Sequence, residues 1–277
     1  MRAGPAIAGL AALFVSAATP LAAQDVTKPR GSGRGCIHTE GPPGSSVVRS
    51  AQRPVALAWF AGRSAAYDHG VLGDSVEATA LYIGIVPPGQ GKAAFCDSVS
   101  AGPDRVFEDI SPRLADLDGD GRNEVIVVAS HVRYGARLEI YGYPAPGRDF
   151  TLLAHTPYIG QAHRWLAPVG AADLNGDGTM EIAYIDRPHL AKTLRIWRYD
   201  EGALVPVAEQ AGFTNHKIGW DFIPGGIREC GSRAEMIVAS GDWSRVMGVG
   251  LTQGRVIARD LGPYTGPDSM SAAQSCR

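Results

Sequence analysis

A short apolar strand pattern recurs at an almost constant spacing along the chain. Its copies alternate apolar side chains after a leucine or valine, and they are ALYIGIV (80–86), RLEIYGY (137–143), LRIWRYD (194–200) and VMGVGLT (246–252). Taken from Leu81, Leu138, Leu194 and Val246, the steps are 57, 56 and 52 residues. So regular a pitch indicates one structural unit that is used four times.

The sequence on either side of each copy predicts the other strands of the unit. Each copy is followed by a turn and a further apolar segment, namely AAFCDSVS, FTLLAHTPY, LVPVAEQA and RVIARDLG. Each copy is also preceded by a strand, and in the middle units another strand comes first, as RVFEDISPRLAD and HRWLAPVGAAD. Four strands per unit at this pitch predict an all-β fold, a β-propeller of four-stranded antiparallel blades.

The units divide one predicted domain, residues 47–277, and are about 55–104, 105–161, 162–214 and 215–262. The first unit has a strand in RPVALAWFAG and a short one in AAYDHG, but no evident inner strand. The tail, residues 263–277, repeats at 266–268 the GPD of 102–104, so we predict that it completes the first blade and closes the ring. The blades number four, or five if residues 36–60 and the tail build another.

The first 23 residues have the pattern of a secretory signal peptide. One arginine, an apolar run over residues 5–15 and small residues before Gln24 predict cleavage between Ala23 and Gln24. Residues 24–46 are rich in Gly, Ser and Pro without periodicity and are interpreted as a flexible leader. No later run approaches the roughly 18 apolar residues that span a bilayer. We expect an exported protein without a membrane span, either periplasmic or extracellular.

Charge and cysteine content narrow the classes of partner and compartment. The formal net charge is −2, with acids and bases interspersed, so no basic surface for nucleic acid or an anionic membrane is indicated. We expect a monomer. The four cysteines Cys36, Cys96, Cys230 and Cys276 predict two disulfides in an exported chain, for which three connectivities exist.

Two acidic loops share one phrase, ADLDGDGRNE at 115–124 and ADLNGDGTME at 172–181. Oxygen-bearing side chains alternate around a glycine at the sixth place, and they are Asp116, Asp118 and Asp120, then Asp173, Asn175 and Asp177. Hard cations such as Ca²⁺ take about six to eight oxygen ligands from such a loop. An EF-hand would need a glutamate at the twelfth position, which holds Val127 or Tyr184. The acid comes at the ninth, Glu124 and Glu181, and a β-branched run follows it.

A strand, an acidic loop of this form and a second apolar strand, repeated at this pitch, resemble the FG-GAP or VCBS repeat. That repeat is the calcium-loop blade of integrin-type β-propellers, and the resemblance covers residues 55–262. It implies structural Ca²⁺ at two sites, held by side chains at loop positions one, three, five and nine and by the carbonyl of position seven. The implied ligands are Asp116, Asp118, Asp120, Arg122 and Glu124, then Asp173, Asn175, Asp177, Thr179 and Glu181.

The fourth unit keeps the blade pattern but loses the acidic loop. Aligning HKIGWDFIPGGIREC on HRWLAPVGAADLNGD places Gly226 where the first aspartate belongs, and no alternating acids follow. The strand resumes at Glu235. Cys230 lies in this loop, so our hypothesis is that a disulfide holds the turn that calcium holds elsewhere.

Candidate chemistry is concentrated before the inner strands. No GxSxG, HExxH, Walker or GxGxxG motif is present. In a propeller the starts of the inner strands meet at one mouth of the channel, opposite the acidic loops, and here they carry Glu108, Asp109, His163, Arg164, Trp165, His216, Lys217 and Trp220 with Asp221. Such a mouth could hold a sugar or a peptide; the alternative is ordinary packing between blades. Glu108 and Asp109 are adjacent in a predicted strand and should face opposite sides.

Three functions remain open. The first is a binding or scaffolding module with structural calcium, favoured by the intact loops and the lack of reaction motifs. The others are a glycan-binding lectin or adhesin, and a polysaccharide hydrolase or lyase with Glu108 or Asp109 as acid or base. The partner would be an unknown protein or glycan. His69, His131 and His189 end the second strands of their units, but the blades of a propeller are too far apart for us to expect a metal there.

Overall fold

The computed structural model describes residues 41–87, 89 and 95–276. The signal peptide, most of the leader and Cys36 lie outside the described residues. Four antiparallel sheets of four or five strands follow one another along the chain, in a propeller-like arrangement. The predicted all-β class is confirmed, with one short helix added at the end.

The strands of each sheet are consecutive in the sequence. The first sheet contains β1 (Val48–Arg49), β2 (Val55–Ala61), β3 (Ala80–Ile85) and β4 (Phe95–Ser100). The second contains β5 (Arg105–Phe107), β6 (Arg113–Ala115), β7 (Glu124–His131), β8 (Gly135–Gly142) and β9 (Thr151–His155). The third contains β10 (Leu166–Ala172), β11 (Glu181–Asp186), β12 (Thr193–Asp200) and β13 (Ala203–Ala211). The fourth contains β14 (Phe213–Thr214), β15 (Gly226–Arg228), β16 (Glu235–Ser240), β17 (Arg245–Thr252) and β18 (Arg255–Pro263).

The inner strand is split in the second and fourth sheets. β5 and β6 both pair with β7, and β14 and β15 both pair with β16. The breaks, residues 108–112 and 215–225, each contain a proline close to the second piece, and proline has no N–H to donate to a ladder. Glu108 and Asp109 therefore lie in a break, and the prediction that they are strand neighbours on opposite faces was wrong.

Apolar side chains of neighbouring sheets form shared clusters, which is how the sheets are held side by side. Phe60 of the first sheet stacks on Phe107 of the second, with ring centroids 5.6 Å apart. A second cluster joins the second and third sheets, and a third joins the third and fourth. β7 and β11 are buried along almost their whole length, as strands covered on both faces should be.

The C-terminal tail packs on the fourth sheet as a helix, α1 (Pro267–Gln274). Met270, fully buried, and Ala273 contact a cluster of β16 and β17 residues, and Cys276 forms a disulfide with Cys230. The prediction that the tail completes the first blade was wrong, because the first sheet has its own inner strand, β1. The predicted disulfide at Cys230 is confirmed.

The loop over residues 62–79, between β2 and β3, reaches residues of the third and fourth units. An isolated bridge between Ser64 and Glu77 closes its base. Tyr67 and Val71 are buried, and the carbonyl of Val71 accepts a hydrogen bond from the N–H of Gly219 at 3.1 Å. The strand predicted in AAYDHG is wrong, and this segment joins the first unit to the fourth. Within the described ranges no helix has the length and apolarity to cross a membrane.

Candidate functional site

The first acidic loop connects β6 to β7 and gathers three carboxylates. Asp116, Asp118 and Asp120 each present an oxygen within 4.8 Å of the others. The N–H of Gly121 donates to Asp116 Oδ2 at 3.0 Å. Gly121 has a φ of 85°, in the left-handed region that favours glycine. The turn thus places the oxygens of positions one, three and five around one small volume.

The protein compensates the charge of this loop only in part. Asp116 Oδ1 is buried and has no hydrogen-bond partner among the described residues. Burial, with the neighbouring aspartates adding to it, raises the pKa of Glu124 to about 8, although its Oε2 accepts the Leu117 N–H at 2.8 Å. Arg122 pairs with Asp120 from the partly exposed side of the loop. An all-oxygen donor set with an unsatisfied buried oxygen fits Ca²⁺.

The second acidic loop, between β10 and β11, has the same course but a different partner. The carboxylate of Asp173 accepts hydrogen bonds from three backbone N–H groups of the loop, at distances between 2.7 and 3.1 Å. Arg198 on β12 donates to Asp177 Oδ2 at 2.8 Å and also to Glu181 Oε1. A guanidinium therefore bridges the fifth and ninth positions of this loop.

A polar cluster lies at the other end of the inner strands. His163 comes before β10 and Asp173 follows it, so the seven residues of β10 separate the two regions, a length of roughly 20 Å. We call this group the histidine cluster, and it consists of Tyr67, His69, Glu108, Ser130, His163, Trp165, His189 and His216.

Glu108 is the fully buried centre of the histidine cluster. Its Oε1 lies 2.5 Å from His69 Nδ1, and its Oε2 accepts the Ser130 hydroxyl. The indole N–H of Trp165 donates to the Glu108 backbone carbonyl at 2.8 Å. Burial raises the pKa of Glu108, while the hydrogen bonds from His69 and Ser130 oppose that shift. Because both carboxylate oxygens are engaged, Glu108 orients His69 and cannot itself contact a ligand.

His163 is the member of the cluster that reaches solvent. Its side chain is 48% exposed, and its Nε2 lies 3.1 Å from Asp68 Oδ1. Its ring stacks on His69 with centroids 5.2 Å apart, and its backbone N–H donates to the Tyr67 hydroxyl at 3.0 Å. Its φ of 54° is uncommon for a residue with a β-carbon, and such conformations concentrate at functional sites.

His189 and His216 form a neutral pair beside this group. Burial lowers the pKa of His189 to about 4 and also lowers the pKa of His216. His216 Nε2–H donates to the carbonyl of Trp220 at 3.0 Å, so its Nδ1 accepts from His189 Nε2 at 3.1 Å. This chain of hydrogen bonds fixes both ring tautomers.

An aromatic group on the adjacent surface surrounds a lysine. The ammonium of Lys217 lies 4.7 Å from the ring centroid of Trp243, 5.4 Å from that of Trp220 and 5.5 Å from that of Tyr264. These are cation–π distances. Phe222 stacks on Trp220 and is 38% exposed, so an apolar and cationic surface adjoins the histidine cluster.

Comparison with protein families gives one match. Residues 116–184 match the FG-GAP-like repeat. The repeat contains both acidic loops and the strands between them, so the resemblance inferred from the sequence is confirmed there. No functionally curated protein matches the chain at a significant level.

The solved structures that are similar to the chain include three rhamnogalacturonan lyases. One is exotype rhamnogalacturonan lyase YesX, at 14% identity and a TM-score of 0.34, covering 82% of this chain and 51% of that one. Another is the Bacillus licheniformis rhamnogalacturonan lyase PL11, at 15% and 0.37, covering 86% and 55%. The third is rhamnogalacturonan lyase YesW, at 16% and 0.33, covering 86% and 55%. The chain therefore spans about half the length of these structures.

The structure places the residues of the predicted channel mouth, which was expected opposite the acidic loops, in four different surroundings. Glu108, His163, Trp165 and His216 belong to the histidine cluster, and Trp220 and Lys217 belong to the aromatic group. Asp109 is buried and pairs with Arg113 at 2.6 Å. Arg164 donates only to the carbonyl of His163 among the hydrogen bonds described. Most of these side chains are thus buried or paired, and His163 and part of the aromatic group are the most exposed among them.

Sequence reasoning missed the contribution of the first unit. Tyr67 and His69 reach the cluster from the 62–79 loop, and His189 reaches it from the third unit. The one signal was the histidine at the end of each second strand. His131 has the corresponding position in the second unit but does not join the cluster, because its ring packs on Tyr134 with centroids 4.7 Å apart. Among the described residues, no group of three metal-ligand atoms includes any of these histidines.

Glu77, at the base of the 62–79 loop, should make stability depend on pH. Burial, with Glu108 as the nearest acid, raises its pKa to about 9. A carboxyl whose pKa is higher in the folded state than in the unfolded state stabilises the fold. Its full contribution to stability is present below the unfolded-state pKa, and that contribution is lost as the pH rises to the folded-state pKa, here about 9. From pH 5 to 9 we expect the free energy of unfolding to fall by up to about 1.4 kcal/mol per pH unit from this group. Urea melts at several pH values should show a flatter profile for Glu77→Gln, whereas exposed Glu201→Gln should follow the wild type.

Proposed function

We propose that this protein is an exported, calcium-stabilised β-propeller that binds a partner at the histidine cluster. The observation that carries the proposal is the convergence of side chains from all four units at one end of the fold. Tyr67, Glu108, His163 and His216 each come from a different unit, and His163 extends into solvent. Packing between the units does not require the features of His163. Its imidazole is half exposed, and its backbone has a positive φ.

The accessible surface favours a hydroxyl-rich ligand such as a glycan, or a peptide with similar polar groups. His163 and Asp68, whose side chain is 78% exposed, supply hydrogen-bonding groups. Trp220 and Phe222 belong to the adjoining aromatic group, in which the exposed Phe222 supplies a face on which a sugar ring or an apolar side chain can stack. Specificity would come from the polar groups and affinity from the aromatic ones.

The proposal also includes a four-bladed fold and export of the protein from the cytoplasm. We take the four sheets as four blades of one domain over residues 47–277, closed between the first and fourth units by the 62–79 loop and not by a tail strand. The hydrogen bond from Gly219 to Val71 supports this closure. The Cys230–Cys276 disulfide supports a periplasmic or extracellular location, because such bonds persist in oxidising compartments.

Calcium at the first loop should stabilise the fold. Asp116, Asp118, Asp120 and Glu124 would hold the ion with the Arg122 carbonyl, and the bound ion would neutralise the loop. A ligand at 100 times its Kd adds about 2.7 kcal/mol, so chelation should lower Tm by roughly 5–10 °C. Scanning calorimetry with calcium and with EGTA measures this. Asp118→Ala should melt alike in both, and an unchanged wild-type Tm in chelator would remove calcium from the proposal.

Binding at the histidine cluster can be tested with the calcium-loaded protein. We expect glycan-array signals, followed by titration calorimetry on the best ligand, to weaken at least tenfold in His163→Ala and in Trp220→Ala. His155→Ala is the matched control, because His155 is an exposed histidine on β9, outside the cluster. Equal affinity in all three variants would place the ligand elsewhere.

A second candidate function, a polysaccharide-active enzyme, is favoured by the pairing of His69 with Glu108. A buried carboxylate 2.5 Å from Nδ1 fixes the ring and leaves Nε2 to take or give a proton. The sequence suggested Glu108 or Asp109 as acid or base, but both are buried and paired, so His69 takes that role in this candidate. His69→Gln should abolish turnover on a glycan panel while preserving binding, whereas binding without wild-type turnover would leave a lectin or scaffold.

A further inference from the structure

We infer that the second acidic loop is closed by the guanidinium of Arg198 in place of calcium, so that the two loops together bind a single Ca²⁺. This inference rests on the proposed calcium site of the first loop for its reference. The two loops have the same sequence motif and the same position in their units. They differ in the residue that pairs with their ninth residue on the neighbouring strand.

The strand register places Arg198 at the second loop. Glu181, the ninth residue, pairs directly with Arg198 of β12. Arg198 Nη2 donates to Asp177 Oδ2 at 2.8 Å and to Glu181 Oε1, and its Nε lies 3.2 Å from the same Glu181 oxygen. Glu181 is fully buried, so this guanidinium compensates a carboxylate that water cannot reach.

The amide in the second loop is also arranged as a donor. Asn175 Nδ2 donates to Asp177 Oδ2 at 2.9 Å and lies 3.3 Å from Glu181 Oε1. A calcium ligand set would need the amide oxygen of Asn175 to face these carboxylates. That oxygen instead accepts the N–H of Asp177 at 2.8 Å.

The first loop has no side chain where the second has Arg198. Val125 pairs with Tyr141, so the residue opposite Glu124 is Gly142. A β-carbon built on Gly142 would lie 3.4 Å from Glu124 Oε1, which shows how directly this position faces the carboxylate. With glycine there, the space beside Glu124 remains available to an ion.

In the fourth unit the corresponding glutamate is also paired with arginine, but from the inner strand. Glu235 occupies the place of Glu124 and Glu181 at the start of its strand, and it pairs across the sheet with Arg228. Arg228 donates to Glu235 Oε2 at 2.7 and 3.0 Å, and Arg259 donates to it at 3.0 Å. Among the described contacts, Glu124 thus pairs with no arginine, Glu181 with one and Glu235 with two.

Calcium and Arg198 would compete for the same oxygens. Asp177 and Glu181 are two of the five ligands that the loop could offer, and both already accept from the guanidinium. An arriving ion would have to displace a bidentate arginine and leave it beside the loop without its partners, which is unfavourable. The arginine therefore decides which loop takes the metal.

The test is the calcium stoichiometry of the full protein, measured by titration calorimetry after EGTA treatment and desalting. We expect one equivalent for the wild type, one for Asp173→Ala, none for Asp116→Ala and two for Arg198→Ala. Arg195→Ala is the matched control, because Arg195 lies on the same strand but pairs with Asp186 and Glu209, away from the loop. It should retain one equivalent.

The outcomes separate this inference from the proposed function. Two equivalents in the wild type, falling to one in Asp173→Ala, overturn the inference and leave the calcium-stabilised module intact. One equivalent in folded Arg198→Ala overturns it as well. No equivalent in the wild type overturns the single-ion stoichiometry and removes calcium from the first loop, and one equivalent in Arg198→Ala would then leave only the closure of the second loop by Arg198. If Arg198→Ala does not fold, Asp173→Ala decides alone.

Discussion

Replacing Glu108 by alanine is expected to lower the free energy of unfolding by about 3 kcal/mol. The carboxylate is fully buried and accepts from His69 and Ser130, so its removal leaves two buried polar groups without partners and opens a cavity. The Trp165 hydrogen bond should survive, because it uses the Glu108 backbone carbonyl. Guanidinium unfolding followed by tryptophan fluorescence measures the loss.

Glu108→Gln is the control for this prediction. The amide keeps the shape of the side chain and one acceptor oxygen, so about 1 kcal/mol should be lost. The comparison separates the volume of Glu108 from its charge. If the alanine variant unfolds at the same denaturant concentration as the wild type, the histidine cluster is not a structural centre of this end of the fold.

Removing the Cys230–Cys276 disulfide is expected to lower the free energy of unfolding by about 4 kcal/mol. The two cysteines are 46 residues apart, and a cross-link over that length restricts the unfolded chain by about this amount. The Cys230→Ser, Cys276→Ser double variant, measured by guanidinium unfolding, should also lose protection of α1 in hydrogen exchange. A loss below 1 kcal/mol would show that the fourth unit does not depend on the bond.

Met270→Ala distinguishes the bond from the packing that accompanies it. Met270 is fully buried against Ile237, Ala239 and Val246, so its truncation should cost about 2–4 kcal/mol with the disulfide still formed. If the double cysteine variant and Met270→Ala each remove the same helix protection, the helix and the disulfide stabilise the fourth sheet as one unit.

The repeating parts of the fold could be predicted from the sequence because they depend on local pattern. The pitch from Leu81 to Val246 gave four units, and the phrase around Asp116 and Asp173 identified the acidic loops. The sequence also contained a pattern typical of a helix at α1, but the repeated GPD of 102–104 and 266–268 led us to predict a strand there. Pro267 stands in the first turn, and Met270 and Ala273 are spaced to share one helical face.

The contacts between units could not be predicted, because they join segments far apart in the chain. Nothing near His69 indicates that it meets Glu108, 39 residues later, or that Tyr67 accepts the N–H of His163. The break at Glu108 had a readable cause in Pro112, which cannot donate to the ladder. The pairing of Arg198 with Glu181 required the strand register, which the sequence alone left open.

The consecutive order of strands within each sheet bears on how the chain acquires its structure during synthesis. Each sheet uses only neighbouring segments, so a sheet can form as soon as its own stretch has emerged, without waiting for later ones. Contacts between distant segments do not have this property, and two of them involve the fourth unit. The 62–79 loop must meet Gly219, and Cys230 must meet Cys276 after all four sheets have been made. Oxidation of that last pair would therefore mark the end of folding, and an oxidoreductase that acts on Cys230 earlier would find no native partner for it.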